Sequence, residues 1–396
     1  MALAKVSVEQ VDLADKRVFL RVDFNVPLDG ARITDDTRIT AALPTVRHCL
    51  DAGASVILAS HLGRPKGKPD PKYSLGPAAT RLAELLGRPV PLAPDCIGPE
   101  VEAAAHALGP GQLLMLENLR FHAEEENNDA AFAQALAGLA QVYVDDAFAA
   151  AHRAHASIEA ITRYLRPAVA GLLMARELAS LGRIFDKPER PVWAILGGAK
   201  VSDKLALVEN LTTKVDGLLV GGGMAFTFLA ALGHNIGRSL VEPDRLGAAR
   251  VVVERARSAG IPMRLPVDVV VAAGVDATTG LRTVGVREIP SDLMGLDIGP
   301  ATVEQFAAAL KGAGTVIWNG PMGVFEKEPF AAGTLGVARA VSECGGFSVI
   351  GGGDTIAAVQ QAGVASRIGY ISTAGGAFLE FLEGRVLPGV AALDDA

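Results

Sequence analysis

One phrase recurs along the 396-residue chain: a short β-branched apolar run, a turn rich in glycine or charge, and an alanine-rich helical stretch. Strands separated by helices pair in parallel through crossovers, so the repetition predicts α/β architecture with parallel sheets covered by helices on both faces. Ligands in such sheets bind beyond the carboxyl ends of the strands. The length exceeds what one core usually serves, so two domains are expected. The segment Asp186-Lys187-Pro188-Glu189-Arg190-Pro191, charged and twice interrupted by proline, is the predicted boundary.

The residues just after each apolar run therefore indicate chemistry. Arg17 to Leu20 leads into Arg21-Val22-Asp23-Phe24-Asn25, with Arg38 at the start of the next helix. Ser55 to Ser60 leads into His61-Leu62-Gly63-Arg64, and Gln112 to Leu116 leads into Arg120 and His122. Gln141 to Val144 leads into Asp145, Asp146, His152 and Arg153. Only the short Val90 to Leu92 run delivers no arginine. Any one of these arginines is most simply a surface residue or an ion-pair partner. Five of them at the same end of one sheet would form a cationic cleft suited to a small, multiply charged acid, because guanidinium groups match carboxylate and phosphate oxygens.

The second half delivers glycine instead. Val192 to Leu196 precedes Gly197-Gly198-Ala199-Lys200-Val201-Ser202-Asp203-Lys204, and further glycine turns are Gly221 to Gly223, Gly320 to Gly323, Gly351 to Gly353 and Gly375-Gly376. Glycine turns that open helices expose backbone amides to phosphate. Lys200 and Lys204, at spacing i, i+4, are predicted to share one face of a helix starting here. The plain alternative is a βα turn with a solvated lysine pair. The spacing does not match the P-loop pattern. Asp354, alone in its turn, suits phosphate-bound Mg²⁺, and Glu326 suits ribose hydroxyls.

A net charge of −7 gives no global attraction to nucleic acid or anionic membranes, so bound anions must meet a local basic cluster. Cys49, Cys96 and Cys344 have no metal-like spacing and read as free thiols in a reducing compartment, and the N-terminal stretch lacks a signal-peptide core. A cytoplasmic location is expected. The uncharged stretch from Gly217 to Gly233 is short for a membrane span and reads as strand, glycine turn and buried helix. A cationic half and a nucleotide half joined by a hinge suggest phosphoryl transfer. No general base stands out. A carboxylate acceptor needs none, being ionised already at neutral pH.

These phrases together resemble the phosphoglycerate kinase family from Arg17 to Val390. The matching strings include Arg21 to Pro27, Asp35 to Arg38, His61 to Pro65, Glu117 to His122, His152 to Ser157, Gly197 to Lys204, Asp297 to Pro300, Trp318 to Glu326 and Gly351 to Thr355. The resemblance implies two Rossmann-like three-layer domains with mostly parallel sheets. Residues 1–171 would bind the acid, with the tail 377–396 packing back on them. Residues 172–190 would form an interdomain helix and linker, and 191–376 would bind the nucleotide. It implies a monomer closing about a hinge, with reversible transfer between Mg·ATP and 3-phosphoglycerate. Arg21, Val22, Asp23, Asn25, Arg38, His61, Leu62, Gly63, Arg64, Arg120 and Arg153 would contact phosphoglycerate. Arg38 and Lys200 would be catalytic. Lys204, Gly295, Asn319, Glu326, Gly352, Gly353, Asp354 and Thr355 would contact nucleotide, Gly375 and Gly376 would form a phosphate loop, and Asp354 would hold Mg²⁺.

Two departures stand out. Ala149-Ala150 replaces the family's common Gly-Thr near Arg153, and Ala374 occupies a usual glycine position, at a cost of about 1 kcal/mol if φ there must be positive. A catalytically silent nucleotide-binding regulator is the alternative function, opposed by retention of Arg38, Lys200, Lys204 and Asp354 together. An NAD-dependent oxidoreductase is disfavoured, since no G-x-G-x-x-G follows the first strand.

Overall fold

The computed structural model describes residues 4–396. The chain divides into two compact units, one formed by Met1–Ala179 with Val386–Ala396 and the other by Ser180–Arg385.

Beside a two-residue hairpin pairing Leu28–Asp29 with Arg32–Ile33, the first unit's main sheet holds five strands: β1 (Arg17–Arg21), β2 (Ser55–Ala59), β3 (Leu113–Met115), β4 (Val142–Asp145) and β5 (Ala168–Ala170). Their order is β3-β2-β1-β4-β5, and every pairing is parallel. The strands are buried almost throughout, as expected of a sheet sandwiched between helices. The helix Thr37–Asp51 shows how that cover forms. Ile39, Ala42, Leu43, Val46, Cys49 and Leu50 recur at helical spacing and are buried on one face. In register, Arg21 pairs with both Ala59 and Asp145, so the three central strands end level.

The second unit adds β6 (Val192–Leu196), β7 (Gly217–Val220), β8 (Met263–Arg264), β9 (Asp268–Ala272), β10 (Arg282–Gly285), β11 (Met294–Ile298), β12 (Thr315–Asn319), β13 (Phe347–Gly351) and β14 (Tyr370–Ser372). Six of them form a parallel sheet in the order β8-β7-β6-β12-β13-β14. Leu196, Val220, Asn319, Gly351 and Ser372 align at its carboxyl edge. The remaining three form a small antiparallel sheet, β10-β9-β11. The uncharged stretch resolves into β7, a glycine turn and the almost fully buried helix Met224–Ala231. Among the described residues, no helix is long and apolar enough to cross a membrane.

The units divide at Ser180, inside the helix Leu172–Phe185, within the expected interdomain segment 172–190 and ahead of its proline-rich end. The tail joins the first unit from Val386, not from residue 377. The helix Gly376–Leu382 stays in the second unit, where Asn210 Nδ2 donates to Leu382 O at 2.6 Å. Beyond it, Gly389 N donates to Ala151 O at 2.9 Å and Asp394 N to Ala168 O at 2.8 Å, which ties the last residues to the first unit.

Candidate active site

The carboxyl edge of the first sheet carries the expected cationic groups. Arg21, the last residue of β1, is 1% exposed and donates through Nε to Ser157 Oγ at 2.8 Å and through a terminal nitrogen to His61 Nδ1 at 3.2 Å. An arginine can only donate, so Nδ1 accepts and the ring proton belongs on Nε2. Arg38, in the first turn of its helix, pairs with Asp23 at 2.5 Å. Asn25 Oδ1 accepts from Gly63 N at 2.9 Å, and Gly63 O accepts from Arg120 at 2.8 Å, linking the turns after β1, β2 and β3. Arg120 Nε is buried with only a 3.4 Å ion pair to Glu126 and no hydrogen bond. Arg153 Nε donates to His152 Nε2 at 3.1 Å. Arg64 is exposed, with no ion pair or hydrogen bond to any described residue. Val22 and Leu62 are buried, so they present backbone rather than side chain.

Beneath this cluster lies a feature that sequence reasoning missed. Glu125 is fully buried, and both its oxygens accept from Ser157, Oε1 from the hydroxyl at 2.6 Å and Oε2 from the amide at 2.9 Å. Burial raises the Glu125 pKa, while Arg21 and Arg120 pull the other way. Glu125 thus supplies a buried acid that orients Ser157, which in turn receives Arg21. Only tertiary packing brings Glu125 and Ser157 together; the acidic run Glu124-Glu125-Glu126 reads as a solvated helix start.

His61 and His155 are kept neutral. Burial, followed by the charges of Arg21 and Arg120, holds His61 well below its usual range, and burial with Arg120 and Arg21 brings His155 down to about 3. The unfolded chain therefore takes up the His155 proton first, near pH 6.5, and the folded state becomes less stable as pH falls from there toward 3. We expect His155→Gln to remove this contribution, giving a melting temperature that declines less steeply than the wild type's between those limits. Parallel declines in calorimetric scans would remove His155 from the account.

In the second unit, three loops beyond β6, β7 and β12 interlock through backbone hydrogen bonds. Gly197 N donates to Asn319 O at 3.0 Å, Gly198 N to Pro321 O at 2.9 Å and Gly222 N to Met322 O at 2.9 Å. They wall a cavity of about 360 Å³, whose lining includes Gly198, Gly223, Gly295, Met322, Glu326 and Asp354. Gly295 faces the Phe226 ring so closely that an added Cβ would lie 2.1 Å from Cζ. Apolar walls, glycine backbone and the carboxylates of Asp297, Glu326 and Asp354 line it, a composition suited to a nucleotide.

The lysine motif differs from the helical expectation. The helix begins only at Leu205, so Lys200 and Lys204 lie in the preceding loop and do not share a helix face. The reason is local: Lys204 Nζ turns inward and donates to Gly197 O at 2.5 Å and to Asn319 O at 3.1 Å. Burial lowers its pKa to about 8, against the charges of Asp354 and Asp203. Lys200 is exposed. Asn319 Nδ2 donates to Gly351 O at 2.7 Å, and Thr355 Oγ1 accepts from Gly320 N at 2.7 Å, so both hold loops together. Gly352 caps the helix Gly353–Gln361, placing Gly353 and Asp354 in its first turn, and Gly375 caps the helix that Gly376 opens. Ala374 is not among the residues with positive φ, so alanine carries no backbone strain there. Ala150 accepts from Arg153 N at 3.1 Å through its carbonyl, a contact independent of side chain.

Known proteins share this arrangement across nearly the whole chain. The sequence profile of the phosphoglycerate kinase family matches residues 8–385. Phosphoglycerate kinase of Moorella thermoacetica is 57% identical over 393 residues, covering 99% of this chain and 100% of that protein. That of Synechococcus elongatus is 56% identical over 394 residues, covering 98% of each. The solved structure of phosphoglycerate kinase from Coxiella burnetii superposes with a TM-score of 0.93 at 42% identity, covering 98% of both chains. A cationic sheet edge, a glycine-walled cavity and these matches together establish that the chain belongs to the phosphoglycerate kinase family.

Proposed function

We propose that the arginine cluster of the first unit holds 3-phosphoglycerate, that the cavity of the second holds Mg·ATP, and that Arg38 and Lys200 neutralise the phosphoryl group in transit. Family membership makes the chain a glycolytic phosphotransferase that moves phosphate reversibly between ATP and the carboxylate of 3-phosphoglycerate. The observation that carries the residue assignment is the division of labour between the units: guanidinium groups lie at or just beyond the strand ends of one sheet, and glycine turns with Asp354 follow the strands of the other.

Asp354 fits the metal role. It lines the cavity beside the phosphate-type loops, and one or two protein carboxylates suffice where substrate phosphates and water complete the shell. Bound there, Mg²⁺ supplies neutralisation of phosphate charge. The protein's part is positioning. Gly353 and Asp354 offer a helix N-terminus to phosphate oxygens, while the buried Lys204 fixes the loop from which Lys200 extends. The acceptor carboxylate attacks already ionised, so no proton is abstracted. Hinge closure would bring donor and acceptor into line. The same reading takes the enzyme as a cytoplasmic monomer.

ADP formation from Mg·ATP should depend strictly on 3-phosphoglycerate. Asp354→Asn should weaken Mg-nucleotide binding by about tenfold or more, leaving phosphoglycerate affinity unchanged. Calorimetric titrations showing both affinities intact would exclude the metal assignment. Absence of turnover despite binding of both ligands would instead favour the silent regulator.

A further inference from the structure

Away from the residues assigned to the substrates, Asp95, Cys96 and His122 place one donor atom each within 4.8 Å of one another. Both segments are anchored to the edge strand β3. Ala93 N donates to Met115 O at 2.7 Å, and His122 closes the short 3-10 turn Leu119–Phe121 that follows the strand. Asp95 Oδ1 lies 2.6 Å from His122 Nε2 and also accepts from Cys96 N at 2.6 Å. Cys96 is fully buried, and its thiol donates to Glu117 O at 3.0 Å.

We propose that Asp95, Cys96 and His122 form a binding site for a soft divalent cation, Zn²⁺ in preference to Mg²⁺. The donor set is one sulfur, one imidazole nitrogen and one carboxylate oxygen, each a familiar zinc ligand, whereas a thiolate discriminates against magnesium. Modest side-chain movement brings donors at these separations to bond lengths of about 2.0–2.3 Å. Charge also balances, since a carboxylate and a thiolate cancel a divalent ion, leaving a neutral cluster that is buried at Cys96 and open to solvent at Asp95. Loading expels the Cys96 proton to solvent and shifts the imidazole proton from Nε2 to Nδ1, leaving both donors free for the metal. His122 lies two residues from Arg120, so occupancy would fix the turn that carries this arginine.

The test uses the full chain, stripped with a chelator and dialysed against Zn²⁺ with excess Mg²⁺. The expected result is retention of about one Zn²⁺ per chain, with Co²⁺ replacement giving a thiolate-to-cobalt absorption band in the near ultraviolet. Cys96→Ser should abolish that band, His122→Ala should weaken retention by about tenfold or more, and Cys344→Ser should change neither. His122 is partly exposed, so its variant decides the matter should Cys96→Ser fail to fold. No retained zinc, or wild-type retention by the His122 variant, would overturn the site, as would a cobalt band that survives in a folded Cys96→Ser protein.

Discussion

Lys200→Met is expected to lower kcat by at least about 10²–10³-fold while nucleotide affinity stays nearly unchanged. The expectation follows from the contrast between the two lysines of one loop. Lys204 is committed: its ammonium group is buried and satisfied by Gly197 O and Asn319 O. Lys200 is exposed, with no hydrogen bond and no ion pair within 4 Å among the described residues; its charge acts on the Glu242 carboxylate only at longer range, so it can accompany a moving phosphoryl group. Charge that meets the phosphoryl group mainly in the transition state raises kcat without tightening ground-state binding. Methionine matches the lysine stem but for the terminal nitrogen and removes the charge. Steady-state rates with calorimetric nucleotide titrations check both parts, and an unchanged kcat would remove Lys200 from the mechanism.

Gly320→Ala is expected to cost about 3 kcal/mol or more of stability and to lose nucleotide binding in whatever protein folds. Two independent conditions exclude a side chain here. The backbone has φ +97°, a region that alanine rarely adopts, and an added Cβ would lie 2.3 Å from Gly197 O and 2.4 Å from Lys204 Nζ. Those atoms belong to the interlocked loops, so the collision cannot be relieved without breaking the Lys204 contacts and opening the cavity wall. Chemical denaturation and nucleotide titration would measure the two effects. Wild-type stability and affinity together would show that the loops are far more compliant than their contacts indicate.

The repeated strand–turn–helix phrase determined the class of fold and the location of both candidate sites by itself. Buried parallel strands must be continuously apolar, and their carboxyl-end turns must carry whatever binds ligand, so β6 and the arginines after β1, β2, β3 and β4 were legible. Other elements were not legible from local pattern. The three-residue strand β5 and the strands β10 and β11 are too short or too weakly patterned to stand apart from loop, and they exist because neighbouring strands supply their hydrogen bonds. The lysine spacing was compatible with a helix, yet Lys204 found two carbonyls across the loop and the helix starts later. Glu125 under Arg21, and Asp95 and Cys96 beside His122, are meetings of residues distant in sequence. Sequence determined the strands and helices through periodicity, which each segment expresses alone. Tertiary structure decided where buried polar groups find partners, because an unpaired group inside a protein is costly and its partner can come from anywhere in the chain.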